Sequence, residues 1–283
     1  MVSTSSSIDK ASITKLKVFE ESIANNLAAN MISRWKLDEV IGTAVPYTTQ
    51  DAWGSNTGTL GNGTCAQGSG TCPTFILDSS NQCVSGNCMN FNGSTNYIGV
   101  LNNTSFKPTD KITVSAWGNA TDWTTMPDTR LVSCSEGGGY NISFSGVASA
   151  ANIYINGAYR AREFYNTAIS PGWHLFTFTY DNRYLKVYFD GVYKNQYDLT
   201  ANYPISYHLT NSLMIGAEAG PATTPAGQYF SGKIDDVRIY DDALSSSRIQ
   251  NQYIAGLNFL LSKGQISKEE YNSNLSNLAK TND

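Results

Sequence analysis

Asp235 and Asp236 are adjacent carboxylates and the first candidates for acid–base chemistry. Neighbours in a strand point to opposite faces, so this pair cannot act together as acid and base. The two histidines offer little more. His174 follows Trp173 inside an alternating stretch and reads as a packed side chain. His208, in SYHLTN, has no partner in sequence, and no serine-nucleophile motif accompanies either. Gly137–Gly139 is a turn, because it lacks both the strand-to-helix setting and the lysine of a phosphate loop. Four cysteines bracket two short loops, Cys65 with Cys72 in CAQGSGTC and Cys83 with Cys88 in CVSGNC. Two local disulfides fit these spacings better than a zinc site, whose cysteine pairs are usually two residues apart. Cys134 lies in an alternating apolar stretch and reads as a buried free thiol. Trp53, Trp123, Tyr159 and Tyr165 sit near amides, as ring platforms for sugars do. Hairpin and core aromatics are the competing reading for all of them.

The elements that must position these residues are mostly strands. Alternating segments fall at 75–77, 89–91, 97–100, 112–117, 129–134, 140–144, 152–155, 173–180, 185–189, 194–198, 212–215 and 233–240. Asn156-Gly157, Asp181-Asn182 and Asp190-Gly191 are hairpin-turn signals. Trp117, Trp173, Phe176, Phe178, Val187, Val237 and Ile239 form the candidate core. This pattern predicts a mainly β fold, a two-sheet antiparallel sandwich over residues 34–242. Within it, 34–39 is the first strand and 42–70 is loop with short strand.

Helices flank the sandwich. Over 8–32, Ile13, Leu16, Phe19 or Glu20, Ile23, Leu27 and Met31 recur at helical spacing and predict an N-terminal α-helix within 1–33. Residues 243–283 predict a C-terminal helical hairpin. Ile249, Tyr253, Leu257 and Leu260 or Leu261 share one face of its first helix, and Gly264 stops it. Ser267 with Glu270 starts the second as a capping box.

The chain has 283 residues, a net charge of −4, 15% charged and 12% aromatic residues, with 17 Tyr and 24 Gly. That balance suits a turn-rich extracellular β-domain and gives no electrostatic case for nucleic acid. No apolar run is long enough to span a membrane, and the start MVSTSSS reads as artificial. An export or anchoring segment is expected to have been removed.

Several motifs together carry a family resemblance over about 34–242: ITVSAW at 112–117, GWHLFTFTYD at 172–181, LKVYFDG at 185–191, FSGKIDDVRIYDDAL at 230–244 and CVSGNCMNFNGSTNYIGV at 83–100. In order and spacing they resemble the laminin-G-like, concanavalin A-type jelly rolls. The resemblance implies a jelly roll that presents loops for binding and usually lacks catalytic machinery. The E-x-D-x-x-E motif of β-glucanases of this shape does not occur in the sequence. Many such domains bind one Ca²⁺ at a sheet edge. Here that would fall to Asp38, Asp235 and Asp236, with carbonyls from 51–63. The bland alternative is that these carboxylates cap strands or pair with Arg238 and Lys233.

The N-terminal helix running into WKLDE and a laminin-G-like domain resembles bacterial type IV pilin-like proteins. That implies a soluble, non-catalytic head of an exported surface protein, displayed on a fimbrium and used in adhesion. Its partners would be other pilin subunits and a glycan or host surface. The alternative is a secreted or surface carbohydrate-binding lectin module with no filament role.

Overall fold

The computed structural model describes Val18 and residues 28–39, 47–65, 68–165 and 167–279. The expected N-terminal helix therefore lies almost entirely outside the described residues. Its last turn is a correction. Ala28–Asn30 is a single 3-10 turn and β1 (Met31–Trp35) begins at once. Met31 pairs with Tyr240 and buries against Tyr188 and Leu244. Its apolar side chain thus serves a strand, and local helical spacing gives way to tertiary pairing.

Strands are numbered along the chain. One sheet runs β14 (Val192–Asp198), β13 (Tyr184–Phe189), β12 (Gly172–Tyr180), β7 (Ile112–Ala120), β16 (Ser231–Tyr240), β5 (Cys88–Asn92) and β4 (Thr74–Ile76), with β1 also on β16. The other runs β11 (Ala158–Tyr165), β10 (Ala148–Ile155), β9 (Tyr140–Gly146), β8 (Met126–Ser133), β15 (Leu213–Ile215), β6 (Ile98–Val100), β3 (Gly58–Leu60) and β2 (Thr48–Thr49). All named pairs are antiparallel, and the main core fills the space between the sheets.

The two sheets differ in what covers them. Helices α1 (Ser246–Ser262) and α2 (Lys268–Ala279) lie on the outer face of the first sheet. Tyr253, Leu257, Leu260 and Leu278 pack there against Trp117, Trp173 and Leu175. With both faces covered, β12 is buried at all but its first residue. Its sequence is accordingly apolar on both sides. β10 instead alternates half-buried and buried residues throughout. That pattern marks a sheet with one face on the core and one open.

Turn chemistry fixes the hairpins. Asn156 and Gly157 both adopt positive φ, as do Asp190 and Gly191. A two-residue turn of this hand matches the twist of the strands it joins. Ser267 Oγ accepts from Glu270 N at 3.0 Å and caps α2. Cys65–Cys72 and Cys83–Cys88 are disulfides, and Cys134 is a buried free thiol. Burial pushes that thiol up to about 12.

Candidate functional site

The open outer face of the second sheet holds a groove of about 450 Å³. Its floor comes from outward-pointing residues of β9 and β10. Tyr140 and Ile142 turn into the core, so Asn141 and Ser143 turn out; Ile153 turns in, so Asn152 turns out. Asn152 Nδ2 donates to Asn141 Oδ1 at 2.7 Å and to Ser143 Oγ at 2.9 Å. Asn141 Nδ2 donates onward to Ser135 Oγ at 2.8 Å. The floor is a connected amide–hydroxyl network rather than a row of mobile side chains.

One wall is charged. Glu218 is 4% exposed, and its Oε1 accepts from the Ser133 and Ser135 hydroxyls. Its Oε2 accepts from Arg130 Nε at 2.5 Å. Arg130 Nη1 reaches Asp128 Oδ1, whose other oxygen accepts from Gln228 Nε2 at 2.8 Å. A buried carboxylate stands only when paired and hydrogen-bonded, and this one is both.

Tyr159 forms the other wall. It opposes Tyr154 across the β10–β11 hairpin, their rings 5.0 Å apart and edge to face. Its hydroxyl donates to Gly138 O at 3.1 Å and accepts from Gly138 N and Glu136 N. The residue is nonetheless 40% exposed. An exposed ring fixed at its hydroxyl and on one side can take a ligand without losing rotamer freedom.

The other expected ring platforms do not join it. Trp123 is a correction: it is 1% exposed and packs against Phe144, Phe176 and Phe230. Tyr165 is another: its ring meets Phe189 at 5.2 Å, and its hydroxyl is buried. Burial holds that phenol well above its ordinary range. Trp53 is exposed, but it rides a separate loop organised by Asp51, which accepts from Trp53 N, Gly54 N and Asn56 N beside β1.

Asp38, Asp235 and Asp236 do converge, at a bulge in β16. β5 and β1 occupy the same edge of β16 end to end, and the register with β7 slips between Asp235 and Arg238. Asp236 sits at φ 47. The bulge breaks the alternation expected of the pair, and both carboxyls are buried. Asp236 accepts from Arg34 Nε at 2.7 Å and from Arg238, and these guanidiniums hold it well below the usual carboxylate range against its burial. Asp235 Oδ2 accepts from Val84 N at 2.9 Å and Ser85 N at 3.2 Å; burial, then Asp236 and Asp38, push it up. Burial is also the main force pushing Asp38 up to about 7. Calcium takes six to eight oxygens. Here two arginines occupy the Asp236 carboxylate, and two backbone amides occupy one Asp235 oxygen. Among the described residues no group of three or more acidic, histidine or cysteine side chains is arranged to hold a metal ion, and the cluster reads as an internal brace.

His174 is structural, as expected. Nδ1 faces Asp190 Oδ2 at 2.7 Å and Nε2 faces the Ser170 carbonyl at 2.9 Å. Both neighbours are acceptors, an arrangement that favours the doubly protonated ring and raises its pKa against the effect of burial.

The family model of the concanavalin A-like lectin/glucanases superfamily matches residues 92–250. No curated protein matches. Among solved structures, the binding domain of Paraclostridial Mosquitocidal Protein 1 is similar at 14% identity and a TM-score of 0.58, over 82% of this chain and 53% of that one. The ligand-binding domain of botulinum neurotoxin serotype D, in complex with N-acetylneuraminic acid, is similar at 12% and 0.56, over 81% and 52%. Botulinum neurotoxin type C, whose cell entry depends on two ganglioside molecules, is similar at 12% and 0.59, over 82% and 53%. The chain spans about half the length of these structures. At such identity the likeness is one of fold.

Proposed function

The chain belongs to the concanavalin A-like lectin/glucanases superfamily, and on that premise we propose that it is a non-catalytic carbohydrate-binding protein whose ligand lies in the groove between Tyr159 and Arg130. The observation that carries this reading is the pairing of a pinned, exposed ring with a pre-bonded polar floor. Sugars present an apolar ring face and a rim of hydroxyls, and this groove offers a surface for each. The similar structures add support: one holds N-acetylneuraminic acid, and another belongs to a toxin that depends on gangliosides.

A non-catalytic role is favoured by how the carboxylates are used. Both Glu218 oxygens and both Asp128 oxygens already accept hydrogen bonds from the protein. With their oxygens engaged in this way, neither carboxylate is presented to a bound sugar as a free general acid. The disulfides favour an oxidising, extracellular setting. Among the described residues no helix is long and apolar enough to cross a membrane. A filament role rests on residues 8–32, which lie mostly outside the described residues, and nothing in the sandwich supports it.

Binding to an immobilised glycan array tests the reading. Wild type should bind a defined subset, and Tyr159→Ala should lose about three- to tenfold in affinity, the worth of a stacked ring. A silent array, or equal binding by a folded Tyr159→Ala, would end it.

A further inference from the structure

We infer that the groove selects uncharged, hydroxyl-rich glycans and rejects their sialylated forms; this rests on the glycan reading of the same groove. The argument is one of charge. Asp128, Glu136 and Glu218 line the groove, and Arg130 is the only basic residue of its lining among the described residues. Three carboxylates against one guanidinium leave a net charge of −2. Arg130 is also already bracketed, with Glu218 on Nε and Asp128 on Nη1. An entering sugar carboxylate would find no unshared cation and would face like charge at short range. At a partly enclosed protein surface such repulsion is several times stronger than in bulk water.

Neutral hydroxyls meet the opposite situation. Asp128 and Glu136 are exposed acceptors on the groove rim. Hydrogen bonds accepted by carboxylates are stronger than those between neutral groups, so a sugar diol gains more from this rim than from an amide one. The Tyr159 ring supplies the apolar contact that a pyranose needs on its other side. The selectivity differs from that of the similar toxin domain seen with N-acetylneuraminic acid. Fold likeness does not carry a ligand across, and the charges here point away from an acidic sugar.

The test is an array of matched pairs, each a neutral glycan and its sialylated form, lactose with 3′-sialyllactose among them, probed with the full chain. The neutral member should bind at least about tenfold more tightly at low salt, and the gap should narrow as salt rises. In the double variant D128N/E136Q the gap should shrink severalfold. Both side chains are exposed, and a melt confirms that the variant is folded. Equal or tighter binding of sialylated members by wild type would overturn the selectivity while leaving the glycan reading intact. An unchanged gap in the folded double variant would overturn its origin in these two charges. No binding to either kind would take down both.

Discussion

Asp38, Asp235 and His174 all hold their protons more tightly in the folded chain than outside it. For the acids the cause is burial; for His174 burial works the other way, and the Asp190 carboxylate outweighs it. A group with a raised folded pKa gives its full stability below its unfolded pKa and loses it as pH rises through the folded one. For Asp38 that window runs from about 4 to about 7. For His174 it begins near the ordinary histidine value of about 6.5 and runs upward. Asp236, held down by Arg34 and Arg238, has the opposite sign, and its contribution is lost only in strong acid. The melting temperature should therefore fall between pH 5 and pH 8. Asp38→Asn should flatten that fall and raise the melting temperature at pH 8. Thermal melts of both proteins check this, and a flat wild-type profile would count against it. The residue scale is also where the sequence was least legible. Trp123 stands among polar neighbours in TDWTT, yet three phenylalanines draw it into the core. Glu218 looks unremarkable in sequence, because its partner Arg130 lies 88 positions away.

Elements were easier to read, because their causes are local. The apolar sequences of β7 and β12, the Asn156-Gly157 and Asp190-Gly191 turns and the Ser267 cap all predict what the structure contains. β11 is the exception. Its run AYRAREFY carries Arg160 and Arg162, and it is a strand because β10 pairs with it along its length. Arg162 lies over the Tyr197 ring and donates to Gln196 O, so its charge covers the neighbouring strand. Helix α1 docks through Gly256. A methyl there would come within 2.2 Å of Trp117, whose ring stacks on Tyr253 at 5.6 Å. Gly256→Ala should cost about 1–3 kcal/mol by overpacking, seen as a lower denaturant midpoint. The Cys83–Cys88 loop ties the same region together. Cys83 O accepts from Lys263 Nζ and Gln265 Nε2, while Val84 N and Ser85 N bind Asp235. Replacing both cysteines by serine should cost ~2 kcal/mol and lower the melting temperature. Unchanged melts would argue that the hydrogen bonds alone hold the loop.

At the scale of the whole molecule, the decisive asymmetry is that, among the described residues, helices cover one sheet and leave the other open. The covered sheet spends its outer face on Trp117, Trp173 and Leu175. The open sheet is free to carry Asn141, Ser143, Asn152 and Tyr159, and the groove follows from that freedom. The central claim is that this open face is the glycan-binding surface. Its most direct test is a titration of ¹⁵N-labelled protein with a neutral oligosaccharide chosen from the array. Backbone amides of Glu136, Gly137 and Gly138 and the side-chain amides of Asn141 and Asn152 should shift together and saturate. The Trp53 indole and amides around Tyr253 should stay still. Saturable shifts centred on the Trp53 loop or between α1 and β13, with the groove unmoved, would contradict the account.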